Sequence, residues 1–294
     1  MRRRPSPSVL VLVAGSLAGA LLSACAGPDS EPGGADATAG ALPAGDHVHA
    51  LRVTDDGALL LGLHGALWRS PDGVTWEQLG LEGQDAMALG VAEEGEPLLV
   101  GGHDVLVRST DGGQTFDDLR PDDLPSRDIH ALAQAPGEPS LVYAFVVGAG
   151  VFRSTDAGES WEPAAPAGEE IPADVGAMAV DPTDPRVVLL GSGSQGVFRS
   201  DDGARTFRPT SEWGTIGLAF ADDGTVAAAT YRGVDLSSDG GERWRNVAPV
   251  EDLEGQPVAV AIGGDGAVWV VTEDPRTLLR STAGDGDFEE VARA

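Results

Sequence analysis

Apolar residues along this chain come in short bursts, each closed off by glycine, proline or aspartate. One clear set is Asp128-Ile-His-Ala-Leu132, then Ser140-Leu-Val-Tyr-Ala-Phe145, then Gly150-Val-Phe-Arg-Ser154, then Trp161-Glu-Pro163. Bursts of this kind, rich in Val, Phe, Leu and Trp and bounded by turn residues, predict strands. Four in a row with short joints predict an antiparallel meander.

The set repeats, and a box marks each repeat. Ser70-Pro-Asp-Gly-Val-Thr-Trp76 is followed by Ser109-Thr-Asp-Gly-Gly-Gln-Thr-Phe116, Ser154-Thr-Asp-Ala-Gly-Glu-Ser-Trp161, Ser200-Asp-Asp-Gly-Ala-Arg-Thr-Phe207, Ser237-Ser-Asp-Gly-Gly-Glu-Arg-Trp244 and a decayed Ser281-Thr-Ala-Gly-Asp-Gly-Asp-Phe288. The serines lie 39, 45, 46, 37 and 44 residues apart. A period near forty means a propeller or a solenoid, because one unit cannot bury its own faces and must stack on its neighbours. Four-stranded units repeated radially predict an all-β, six-bladed β-propeller of four-stranded antiparallel blades, at about 41–81, 82–124, 125–169, 170–213, 214–253 and 254–294. The last strand belongs to the last blade, so closure is expected to rest on packing between blades six and one rather than on a shared strand.

The box resembles the Asp-box, or BNR repeat, of sialidases, sortilin-type receptors, xyloglucanases and photosystem assembly factors. The copies at 109, 154 and 237 match S-x-D-x-G-x-x-[WF] in full. In that family the boxes lie on the face opposite the ligand. The resemblance therefore implies that Asp72, Asp111, Asp156, Asp202 and Asp239 are structural, each carboxylate taking backbone N–H groups across the hairpin turn.

The start of the chain reads differently. Arg2, Arg3 and Arg4 precede an apolar run, Val9 to Leu22, that ends in Leu22-Ser-Ala-Cys25. That arrangement predicts a lipoprotein signal peptide over 1–24, and its end resembles the bacterial lipobox, which implies acylation of Cys25 and a protein held on the outer face of the cell membrane. Residues 25–40 are small, polar and rich in Pro and Gly, and are expected to be a disordered tether.

Composition then removes several classes. There are 19 basic and 47 acidic residues, a formal charge of −28, and every basic residue is arginine. No basic surplus exists for nucleic acid. Without lysine there is no Schiff-base or P-loop chemistry. One cysteine excludes a disulfide framework or a thiolate zinc site. A monomer is expected, with an extracytoplasmic protein or a glycan as its partner.

All five histidines fall in blades one to three. Aligning the blades on their boxes places His49, Met87, His130, Gly176, Gly217 and Ala259 at one position of the inner strand. His64 and His103 occupy the loop between strands two and three, and His47 is expected by alternation to point as His49 does. With Asp128, and with Asp46, Asp85 and Asp104 nearby, His47, His49, His64, His103 and His130 would share one quadrant of the face opposite the boxes. Imidazole is a common ligand for zinc and copper, so a transition metal (Cu or Zn) or another ligand is one reading. The other is a polar channel lining.

The phrases around His47, His64, His103 and His130 also resemble a group of exported actinobacterial Asp-box propellers labelled glycosyl hydrolase or exo-sialidase. A glycoside hydrolase is therefore an alternative to a binding or assembly module, and a purely protein-binding scaffold is another. A sialidase needs an arginine triad and a Tyr–Glu pair; here Arg69, Arg108, Arg153, Arg199 and Arg280 repeat before the boxes, as scaffold does, and only Tyr143 and Tyr231 exist. Paired carboxylates of another glycosidase stay open, whereas no G-x-S-x-G supports a serine triad.

Overall fold

The apolar bursts fold as strands in sheets of four consecutive neighbours. In blade one they run Val48–Val53, Leu59–Leu63, Ala66–Ser70 and Thr75–Gln78, and the order repeats over 88–118, 129–166, 175–211, 215–249 and 256–293. The computed structural model describes residues 38–294 except 40, 46, 91–95, 167, 169, 170 and 283. The leader expected over 1–24, Cys25 and Asp46 lie outside the described residues. Thr38–Ala39, within the stretch expected to be tether, pair with Thr75 and Trp76 and cover the open edge of blade one. Among the described residues the one helical element is a 3₁₀ turn, Val250–Asp252.

The six blades form a β-propeller, inner strand beside inner strand around a central channel. Its core consists of six apolar clusters, one at each blade interface. Strand Leu59–Leu63 shows why. Leu59, Leu61 and Leu63 face blade six while Leu60 faces blade two, so a period of two gives each neighbouring sheet its own row. A strand buried on both faces reads as a continuous apolar run, which is what this segment is.

Among the described residues no strand is shared between blades one and six, although the Leu42 N–H donates to the Arg293 carbonyl at 3.4 Å. Leu42, Leu51, Leu61 and Trp76 pack against Ala259, Val271 and Leu278. Arg276 of blade six donates to the carbonyls of Pro43 and Gly45, each at 3.1 Å, and to Glu273 at 2.9 Å. Glu273 in turn accepts the Val48 N–H at 3.0 Å.

Each box is a hydrogen-bonded hairpin lock. In blade two the Ser109 hydroxyl donates to Asp111 at 2.8 Å and accepts the Gly113 N–H at 2.8 Å, while Asp111 accepts the Thr115 N–H at 2.9 Å and its hydroxyl at 2.6 Å. Asp72, Asp156, Asp202 and Asp239 accept equivalent N–H groups. Blade six keeps the lock with a different residue, Ser281 donating to Asp285. Gly113 has a φ of +90°, and a Cβ there would lie 2.7 Å from Leu79 Cδ1 of blade one. The arginines before the boxes are scaffold: Arg108 reaches Glu159 of blade three at 2.7 Å, and Arg199 reaches Glu242 of blade five at 3.2 Å.

The inner strands of blades one, three, four, five and six share one irregularity, which blade two lacks. Their pairing with the second strand shifts register between Val48 and Ala50, Ile129 and Ala131, Val175 and Ala177, Thr215 and Gly217, and Pro257 and Ala259. Each shift leaves one residue unpaired, and in blades one and three that residue is His49 and His130. Bulges re-aim a side chain and break the simple alternation of a strand.

Candidate functional site

The site begins with these bulges. Around one end of the channel the skipped residues His49, His130, Gly176, Ile216 and Val258, with Met87 of blade two, form a ring that lines a cavity of about 290 Å³. The alignment on boxes placed Gly217 and Ala259 in this ring; the register puts Ile216 and Val258 there, one residue earlier. Box spacing carries no information about the bulge, so the offset was invisible to it.

The loop between strands two and three of each blade comes up beside the lead-in to the next blade's inner strand. His64, on that loop of blade one, has its Nδ1 2.9 Å from Asp85 Oδ1, ahead of the inner strand of blade two. His103, on that loop of blade two, has its Nδ1 2.9 Å from Asp128 Oδ1, ahead of the inner strand of blade three. Close approach of the backbones makes this possible. A Cβ on Gly102 would lie 2.5 Å from the Asp85 carbonyl oxygen, and Gly102 also bridges to Asp128.

Each pair gains a third group from a bulge. His49 Nε2 lies 3.9 Å from Asp85 Oδ1, and His130 Nε2 lies 3.1 Å from Asp128 Oδ1. Two clusters result, His49, His64 and Asp85, and His103, Asp128 and His130, each offering donor atoms within 4.8 Å of one another. Asp85 connects them, because its Oδ2 lies 3.9 Å from His103 Nε2.

His47 stands apart. Alternation would have aimed it with His49, but it precedes the paired strand and the bulge intervenes, so its Nδ1 turns to Glu273 Oε2 of blade six at 3.8 Å. Asp104 leaves the group too, pairing with Arg127 at 2.9 Å. Sequence reasoning placed Asp85 only near the histidines, whereas here it is central. A signal did exist, since Asp85 precedes Met87 as Asp128 precedes His130.

Asp85 is the buried member, its side chain only 7% exposed. Its Oδ1 and His49 Nε2 are both buried, and neither makes a hydrogen bond. Burial pushes the His49 imidazole below its ordinary value; the charge of Asp85 opposes this without prevailing, and His64, His47 and His103 add to the lowering. A ring so placed is neutral at neutral pH and carries a free lone pair, as a metal ligand must. A buried polar atom left without a hydrogen bond is costly, and an ion between His49 Nε2 and Asp85 Oδ1, which already has His64 Nδ1 at 2.9 Å, would satisfy it.

Blades four to six present a different surface at the same end. Trp213 is 44% and Tyr231 53% exposed. Arg232 stacks 4.9 Å from the Trp213 ring and is held from behind by the buried Asp235 at 2.8 Å. Tyr143, the other tyrosine, is buried and donates to the Pro185 carbonyl.

No family model and no curated protein matches the sequence. Among solved structures the chain is similar to a GH74 xyloglucanase from Xanthomonas campestris, with a TM-score of 0.59 and 17% identity over 87% of this chain and 47% of that one. It is similar to an ancestral GH74 enzyme at a TM-score of 0.52 and 15% identity, over 68% of this chain and 30% of that one. It is similar to YCF48 bound to D1 peptide at a TM-score of 0.55 and 17% identity, over 87% and 83% of the two chains. The chain thus spans less than half of either GH74 chain. The likeness is one of propeller fold, shared by glycoside hydrolases and by a peptide-bound protein.

Proposed function

We propose that this is an exported, lipid-anchored binding propeller whose His/Asp face holds a divalent transition metal, Cu(II) or Zn(II). The observation that supports this reading is the clustering of two imidazoles and a carboxylate, twice over, at one end of the channel. Nitrogen and oxygen donors without thiolate suit Cu(II) and Zn(II) and offer little to soft Cu(I). Three protein donors leave a position open for water or for a side chain of a partner protein. With a charge of −28, the surface favours a cation or a protein over an anionic polymer. Cys25, acylated, would anchor the propeller through two or more chains.

Titration of residues 26–294, produced without a histidine tag, with Zn²⁺ and Cu²⁺ tests the reading. Stoichiometric binding is expected, lost when His49, His64, His103 and His130 are all replaced by alanine. Binding no greater than in that variant would reduce the histidines to channel lining. Palmitate labelling that disappears in Cys25→Ser tests the anchor.

A second reading, a glycan-directed propeller, is favoured by the exposure of Trp213 and Tyr231, whose flat apolar faces and polar tips suit a ligand with both characters. Turnover of a chromogenic glycoside that disappears when a single carboxylate beside them, Asp174 or Glu212, is replaced would establish it. A complete absence of turnover and of glycan retention would remove it.

A further inference from the structure

The other end of the channel holds a cation without a counter-charge. In an antiparallel meander every second turn falls at the same end, so the turns between strands one and two lie on the side of the boxes, away from the histidines. A cavity of about 370 Å³ opens there, with Asp55 of blade one and Asp222 of blade five on those turns at its mouth. Arg52 and the apolar side chains of Val53, Leu89, Met178, Leu218 and Ile262 line it. From Arg52 toward His49 the channel narrows to about 20 Å³, room for about one water, so the cavity is closed on that side.

Arg52 sets the chemistry. From the inner strand of blade one it reaches across the channel, donating to the Met178 carbonyl of blade four at 3.4 Å and to the Leu51 carbonyl at 3.0 Å. Arg69, Arg108, Arg153, Arg199 and Arg280 each meet a carboxylate. Among the described residues Arg52 meets none, and two carbonyls leave most of the five N–H groups of a guanidinium unused. Burial alone pushes this guanidinium down to about 10, which leaves it charged at neutral pH. A charge enclosed without a partner is costly, and the planar fork of donors matches the two oxygens of a carboxylate.

We propose that this cavity binds a small monocarboxylate with an apolar body, its carboxylate on Arg52 and its body against Leu89, Met178 and Leu218. The site lies at the opposite end of the channel from the histidines and does not depend on the metal reading. The mouth decides which carboxylates enter. Asp55 and Asp222 are exposed there, so they repel a second negative charge at the outer end of a ligand and attract a positive one. Short aliphatic acids and ω-amino acids fit this arrangement, and dicarboxylates do not.

Calorimetric titration of the untagged propeller with hexanoate, ε-aminocaproate, adipate and hexylamine tests the site, because these share one carbon chain and differ in their end groups. Hexanoate and ε-aminocaproate should bind at one equivalent, ε-aminocaproate more tightly, with adipate weaker and hexylamine not bound. Arg52→Gln, which keeps a polar donor but loses the charge, should weaken hexanoate at least about tenfold, the loss of a charge-assisted hydrogen bond. Its Zn²⁺ titration should match the wild type, which separates this site from the metal face. Asp55→Asn/Asp222→Asn, at exposed positions, should bring adipate up to the affinity of hexanoate. Circular dichroism confirms folding, and should Arg52→Gln not fold, hexanoate against hexylamine on the wild type and adipate on the mouth variant decide the question. No binding of hexanoate, hexylamine binding as well as hexanoate, or hexanoate binding unchanged in Arg52→Gln overturns the proposal, whatever the Zn²⁺ titration gives. Adipate binding as tightly as hexanoate to the wild type overturns the selection assigned to the mouth.

Discussion

The Nδ1 of His64 lies 2.9 Å from Oδ1 of Asp85, across the boundary between blades one and two. The same relationship recurs one blade on, between His103 and Asp128. The repeat therefore copies more than the hairpin lock: it copies a loop that leans on the next blade's lead-in, and the histidine and aspartate take their places on it. Blade three ends the series, because Gly148 stands in its loop where histidine stands in blades one and two.

Metal affinity should depend on pH through the imidazoles. A ligating histidine must be neutral, and an ordinary imidazole titrates near 6.5, so Zn²⁺ affinity should fall at least about tenfold between roughly pH 7 and pH 5. Calorimetric titration at both values checks this. A flat profile would mean that carboxylates alone hold the ion.

The hairpin locks should make stability depend on acid. The Thr115 hydroxyl, then the Thr115 N–H and the Ser109 hydroxyl, hold the Asp111 carboxyl down to about 2. Because the folded value lies below the unfolded one, the stabilisation is complete above the ordinary value of 3.8 and is lost as the pH falls through about 2. Asp72, Asp156, Asp202 and Asp239 are shifted in the same direction. The urea midpoint should drop between about pH 4 and pH 2, and Asp111→Asn should flatten that drop. His49 acts in the same sense at higher pH. Its contribution is whole above the ordinary imidazole value of 6.5 and is lost as the pH falls through its depressed value.

Two adjacent glycines should separate backbone strain from a clash. Gly112 and Gly113 have φ of +74° and +90°, but a Cβ on Gly112 meets nothing within 4 Å whereas one on Gly113 meets Leu79. Gly112→Ala should cost about 1 kcal/mol from backbone strain alone, and Gly113→Ala distinctly more. Denaturant melts of the two variants give the comparison, and equal losses would show that the contact between blades yields freely.

Closure should be sensitive to one side chain. Arg276→Ala removes hydrogen bonds to Pro43, Gly45 and Glu273, with an expected loss of about 2–3 kcal/mol for charge-assisted bonds of this kind. Amide exchange should accelerate in blades one and six and stay unchanged in blades three and four. Uniform acceleration would mean that the ring opens as one unit and that this contact is not its seam.

Much of the molecule was written in local pattern. Short apolar runs, turn residues and a box recurring near every fortieth residue determined the strands, their order, the six blades and the side on which the histidines emerge, because each depends on residues close in sequence. What waited for the tertiary structure depended on register and on neighbours distant in the chain. The bulge that separates His47 from His49, and that puts Ile216 and Val258 in the ring, is a choice of hydrogen-bond pairing with no signature in side-chain chemistry. Asp85 became central because Gly102 lets blade two close upon it, which buries a carboxylate between two clusters that no spacing in the sequence joins.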